Sequence, residues 1–169
     1  MEFEELTLNN EYKIKEMSAM ATEIVREHFD PLIGKEQNDY MIQKFQTVDA
    51  IKRQLKNRYR YYFVKNEGQV IGFLAIYPRE EVMYLSKFYL YKDERGQGYS
   101  HQMLKFVIKK AKEIGLAAIE LNVNRFNDAC RAYYHLGFIV VRAEKNDIGN
   151  GFYMDDYVYR FEIGEKRFT

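Results

Sequence analysis

At 169 residues, with 47% apolar and 30% charged positions, the chain can bury a real core and is no disordered segment. A formal charge of +1 without a long basic run argues against nucleic acid as a partner. No apolar run approaches the ~20 residues of a membrane span, and the acidic opening Met1-Glu2-Phe3-Glu4-Glu5 is unlike a signal peptide.

A short strand is predicted at residues 3 to 7, then a helix at 11 to 28 with Ile14, Met17, Met20 or Ala21, Ile24 and Val25 on one face. Asp30-Pro31 and Gly34 read as its end. A second helical stretch covers 39 to 56, interrupted near Thr47-Val48-Asp49, with Asp49 available to cap the renewed turn. The period then changes to two. Strands at 59 to 65 and 70 to 77 are joined by the turn Asn66-Glu67-Gly68-Gln69, and a third follows at 82 to 91. That third strand is apolar on both alternating faces, Met83 and Leu85 on one, Phe88 and Leu90 on the other, as suits a central strand. The clearest helix spans 98 to 114, with Tyr99, Met103, Phe106 or Val107, Ala111 and Ile114 at helical spacing and Lys105, Lys109 and Lys112 on the wet side. After Gly115 come an alternating strand at 118 to 124, a short helix at 127 to 136 stopped by Gly137, and strands at 138 to 143 and 152 to 163. This order gives a mixed α/β fold in one domain over residues 1–169, with a single strand-helix-strand crossover.

The segment Arg95-Gly96-Gln97-Gly98-Tyr99-Ser100 joins a strand to a helix. Glycines let backbone approach a phosphate, and the N–H groups of a first helical turn point at it. A tight turn is the other reading of such a glycine pair. Gly-Lys-Ser/Thr is missing, so this is no P-loop, and His101 stands where a dinucleotide fingerprint needs its third glycine. Glu120 lies near the place of a ribose-binding acid, but the preceding meander of hairpins is wrong for a doubly wound sheet.

Two stretches together resemble the GNAT acetyltransferase family. One runs from Lys87-Phe88-Tyr89-Leu90 through Arg95-Gly96-Gln97-Gly98-Tyr99-Ser100, and the other from Asn127-Asp128-Ala129 to Tyr133-Tyr134-His135-Leu136-Gly137-Phe138. The resemblance implies a mostly antiparallel central sheet of about seven strands flanked by helices. It also implies acetyl-CoA as co-substrate and transfer of its acetyl group to a primary amine; separately, His28, His101 and His135 have no metal-ligand spacing and no zinc pattern surrounds Cys130, so no metal is expected. Phe88, Tyr89 and Leu90 would pair with the pantetheine arm, Arg95 to Ser100 would hold the pyrophosphate, Asn127 would bond the arm, and Tyr134 would protonate the departing thiolate. Ser100 departs from the family's Gly or Ala but is small and adds a hydroxyl.

Asn127 also reads as a helix cap, and Tyr134 as core packing, a role equally open to Tyr133. The general base is the gap. Relatives place a Glu where this chain has Tyr84-Leu85-Ser86-Lys87 or near Asn122; Glu120, on the same face as Asn122, is the nearest carboxylate. A solvated or ion-paired Glu120, with a water relay walled by Ser86 or Tyr84, is the alternative. Asp155 and Asp156 either favour a cationic acceptor such as a polyamine or simply end a turn. A small molecule or polyamine is slightly favoured over a peptide N-terminus or lysine; a non-catalytic CoA sensor is the reading from another class. The lone Cys130 fits a reducing, cytoplasmic setting, and the aromatic strand 152 to 161 offers a surface for a homodimer.

Overall fold

The computed structural model describes residues 1–164. In chain order these form β1 (Glu2–Glu5), α1 (Glu11–Ile33), α2 (Lys35–Phe45), α3 (Val48–Lys56), β2 (Arg60–Asn66), β3 (Gln69–Arg79) and β4 (Val82–Leu90). A 3-10 turn at Lys92–Glu94 follows, then α4 (Tyr99–Glu113), β5 (Ala118–Asn124), α5 (Ala129–Leu136), β6 (Ile139–Gly149) and β7 (Phe152–Glu162). The sheet order is β1-β2-β3-β4-β5-β7-β6. β4 and β5 are paired in parallel, while β1–β2, β2–β3, β5–β7 and β6–β7 are antiparallel. A parallel pair needs a crossover, and α4 lies in that connection. The expected mixed, mostly antiparallel seven-stranded sheet with flanking helices is the fold observed. Among the described residues no helix is long and apolar enough to cross a membrane.

The chain divides into two compact units, the first made of Met1–Tyr77 and Lys87–Met103, the second of Pro78–Ser86 and the chain from Leu104. In the first, the apolar stripe of α1 is buried as its spacing predicts, with Ile14, Met17, Ala21 and Ile24 in one cluster with Phe63 and Phe73. Gly72 sits where β3 meets β4 closely: an added Cβ would stand 2.2 Å from the Tyr89 carbonyl oxygen. Three helix boundaries in this unit differ from expectation. Pro31 does not end α1, because a proline near the last turn removes only one late N–H donor; Gly34, at φ 87°, ends the helix and bonds back to the Asp30 carbonyl at 3.1 Å. α2 starts at Lys35. Thr47, not Asp49, caps α3, its hydroxyl accepting from the Ala50 N–H at 3.1 Å.

In the second unit, β5 is buried along Ala118 to Leu121, and on α4 Val107 is buried rather than Phe106. Ile114 is exposed, as it belongs to the helix end that Gly115 unwinds. β6 runs six residues beyond its predicted end, because the polar stretch Glu144 to Asp147 pairs with Met154 to Asp156 and Tyr153 across a tight hairpin. β7 is therefore paired on both sides, by β5 and β6. Its backbone edges are closed to strand addition, and the sheet edge on this side falls to β6.

Candidate active site

In the first unit, the loop from Arg95 to Ser100 is pinned by its own side chains. Gly96 and Gly98 adopt φ of 78° and 83°, a region glycine enters at no steric cost. Arg95 folds back: its Nε and Nη2 donate to the Leu90 carbonyl at 3.2 and 3.0 Å, and Nη2 and Nη1 donate to the Glu27 carboxylate of α1 at 2.6 and 3.2 Å. The Arg95 guanidinium holds the Glu27 carboxyl below the usual carboxylate range. Gln97 Nε2 donates to the Asp93 carbonyl at 3.2 Å, and the Tyr99 hydroxyl accepts from Asn66 Nδ2 at 3.1 Å. With these side chains turned onto the protein, the loop is left to present its backbone. The amides of Gly96, Gln97, Gly98, Tyr99 and Ser100 have no acceptor among the described residues. Successive unpaired N–H groups at a helix start are an anion cradle.

Just before this loop, β4 carries Phe88, Tyr89 and Leu90, all half-buried. Tyr89 packs its ring at 5.5 Å from Phe73 and 6.3 Å from Phe29. Lys87 precedes them, 5% exposed and with no carboxylate partner among the described residues. Its ammonium donates to the Phe45 carbonyl at the end of α2 (2.8 Å), to Gln46 Oε1 (2.9 Å) and to the Tyr61 hydroxyl. Burial lowers its pKa to about 7.

In the second unit, Asn127 is buried and its Oδ1 accepts from the Ala129 N–H at 2.9 Å, so it does fold the entry to α5. The two neighbouring tyrosines separate. Tyr133 packs edge-on to Phe138 at 5.6 Å and lies 6.2 Å from Tyr159, whereas Tyr134 is 66% exposed and has no place in the core. Gly137, at φ 106°, closes α5, its N–H bonding to the Tyr134 carbonyl at 3.0 Å.

Glu120, expected as the nearest base, is 7% exposed and spent on arginines: Arg160 Nη1 reaches Oε2 at 2.9 Å and Arg142 Nη2 reaches Oε1 at 3.4 Å. Arg160 is its direct partner across β5 and β7. A base needs a lone pair turned to the substrate, and both Glu120 oxygens are turned to guanidinium groups. Asn122, one alternation on, joins four strands. The Tyr84 hydroxyl donates to its Oδ1 at 2.9 Å, and its Nδ2 donates to Glu144 and Asp156 at 3.3 and 3.2 Å. Burial raises the Asp156 pKa, the Asn122 hydrogen bond opposing, with Glu144 and Asp155 raising it further. Asp155 pairs with Arg125 at 2.9 Å. Neither aspartate is therefore an open cation site. Strand alternation places Glu120 and Asn122 on one face, and only the sheet order brings their partners from β4, β6 and β7.

A sequence profile of the Acetyltransferase (GNAT) family matches residues 20–138, more than half of the chain and including both stretches described above. No curated protein matches the sequence significantly. Among solved structures, the PaiA N-acetyltransferase of Thermoplasma acidophilum in complex with coenzyme A is similar over 96% of this chain and 99% of that one, at 17% identity and a TM-score of 0.74. An aminoglycoside 6'-acetyltransferase type Ii is similar over 99% and 100%, at 15% identity and a TM-score of 0.66. The ribosomal-protein-S18-alanine N-acetyltransferase of Escherichia coli covers 72% and 79%, at 20% identity and a TM-score of 0.58. These likenesses concern the fold, and the profile match across the glycine loop and α5 concerns the sequence itself: the chain belongs to the GNAT acetyltransferase family.

Proposed function

We propose that this acyltransferase moves the acetyl group of acetyl-CoA to a primary amine of a small molecule, by direct attack in a ternary complex without an acyl-enzyme. The observation that carries this is the row of unpaired amides from Gly96 to Ser100 at the start of α4, inside the family-matched segment. These amides receive the pyrophosphate. Phe88, Tyr89 and Leu90 pair with the pantetheine arm, with the Leu90 carbonyl already serving Arg95. Asn127 bonds the arm, and Tyr134 gives its proton to the departing thiolate. The exposure of Tyr134, beside a Tyr133 that packs, supports that role. A cytoplasmic location suits the unpaired thiol of Cys130.

A substrate ammonium of pKa ~10.4 is neutral about once in 2,500 molecules at pH 7, equivalent to ~4.6 kcal/mol, so the amine must shed a proton. With Glu120 held by two arginines, that proton leaves through ordered water along the wall made by Tyr84 and Ser86. The thiol has a pKa near ~8.5 and tyrosine near ~10, which makes Tyr134 a weak but workable donor.

The test is thiol release from acetyl-CoA across a panel of small amines, polyamines and peptides. Release with a small amine is expected. Tyr134→Phe then lowers kcat by about 10²-fold with little change in KM for acetyl-CoA. CoA binding without release for any acceptor would make the chain a sensor, and release only with peptides would reassign the acceptor.

A further inference from the structure

We infer that Glu27 is a positioning residue for the pyrophosphate loop, acting through Arg95, so that the arginine of the loop braces backbone amides instead of touching phosphate. The inference rests on the acetyl-CoA reading given above. Arg95 is the one loop cation, and the ordinary expectation for a guanidinium beside a phosphate site is a bidentate grip on the anion. Here both faces of its fork are taken. The Glu27 pair occupies Nη1 and Nη2, and the Leu90 carbonyl occupies Nε and Nη2, with the shortest contact at 2.6 Å. The Glu27 and Arg95 side chains are each 34% exposed, so the pair lies at the surface and acts by placing the arginine more than by its own stability.

The geometry of the brace matters more than its charge. Arg95 reaches backwards to the last residue of β4 and sideways to α1, sixty-eight positions earlier in the chain. It thereby fixes where the strand stops and where the first glycine begins. Gly96 and Gly98 both sit at positive φ, where nothing but outside contacts limits the backbone. The added Cβ of either glycine would meet nothing within 4 Å, so no neighbour crowds the turn on that side. Side-chain ties hold it, at Arg95 on one end and at Tyr99 on the other. Amides aimed in advance bind an anion without the cost of ordering them at the moment of binding.

The brace and a direct phosphate grip predict opposite signs for one substitution. Glu27→Gln removes a negative charge near the anion and releases Arg95. A phosphate-gripping arginine would then bind CoA more tightly; a brace that has lost its anchor binds it more weakly. Calorimetric titration of CoA into the full chain is the measurement, with Glu27→Gln, Arg95→Gln and the double variant, and with the melting temperature of each unliganded protein alongside. Each single variant is expected to weaken CoA about tenfold, the double variant no more than either alone, and Glu27→Asp to recover part of the loss. Unchanged or tighter CoA binding in Glu27→Gln overturns the inference, including the case in which only the melting temperature falls, since that is the mark of a merely structural ion pair. Absence of CoA binding by the wild-type chain overturns the acetyl-CoA reading as well, and so separates the two failures.

Discussion

Lys87 in the first unit and Glu120 in the second are both almost wholly buried, at 5% and 7% exposure, yet they are held in opposite ways. Glu120 meets formal charge: Arg160 and Arg142 continue into Glu162 and Glu144, an ion chain across the strands of one sheet face. Among the described residues Lys87 meets dipoles alone, namely a helix-terminal carbonyl, an amide oxygen and a phenol. The C-terminus of α2 carries partial negative charge, which favours a cation there. Dipoles replace hydration less completely than a carboxylate would, and the depressed pKa of Lys87 records the difference. A buried cation held only by dipoles is thus left sensitive to pH near neutrality.

The sharpest way to break that contrast is to follow stability with pH. The folded pKa of Lys87, about 7, lies below its ordinary 10.5. Between those values the unfolded chain keeps a proton that the folded chain has lost, so stability rises with pH through that window and is level outside it. The full shift corresponds to at most about 5 kcal/mol. Lys87→Met, of similar length, should remove this rise; urea denaturation of both proteins from pH 6 to pH 10 gives the slopes. Equal slopes would mean that the three acceptors solvate the ammonium as well as water does.

Glu120 supplies the smaller counterpart. Glu120→Gln leaves Arg160 and Arg142 without their shared carboxylate, but their side chains are 31% and 48% exposed, and water takes over much of the loss. The expected cost is about 1–2 kcal/mol, read from urea midpoints at neutral pH. Turnover should stay near that of the parent protein. A collapse of turnover at unchanged stability would restore Glu120 as the base and end its comparison with Lys87.

These two residues also mark where the sequence is legible. Helix faces are readable because a stripe such as Ile14, Met17, Ala21 and Ile24 repeats along one element, and the glycine loop because its glycines and helix start are adjacent in the chain. The Tyr133–Tyr134 ambiguity was not resolvable, since neighbours on a short helix differ only in which side finds a core. Nor was the state of Glu120, because Arg142 and Arg160 arrive from strands whose order no local pattern specifies. Pro31 misled for a related reason: its penalty depends on how much helix follows it. Glu27 belongs to the same class, a helix residue with no local mark whose partner lies on a distant loop.

The smallest expected effect tests the middle case, a buried carboxylate with neither an arginine nor a helix end. Asp156 is 2% exposed and stands directly opposite Glu144 across β6 and β7. Burial is the larger cause of the raised Asp156 pKa, and the facing Glu144, whose own carboxyl Arg142 holds below the usual range, adds to it. Its raised pKa means that the folded chain holds a proton longer than the unfolded one as pH rises. The associated stability is present in acid and lost once pH passes the folded pKa. Asp156→Asn keeps an oxygen acceptor for Asn122 and removes the repulsion. It should stabilise the protein at pH 7 by about 0.5–1 kcal/mol, with the gain shrinking toward pH 4, as read from urea midpoints at the two pH values. A loss of stability at pH 7 would show that the Asp156 charge is compensated after all, and would place it beside Glu120 instead of Lys87.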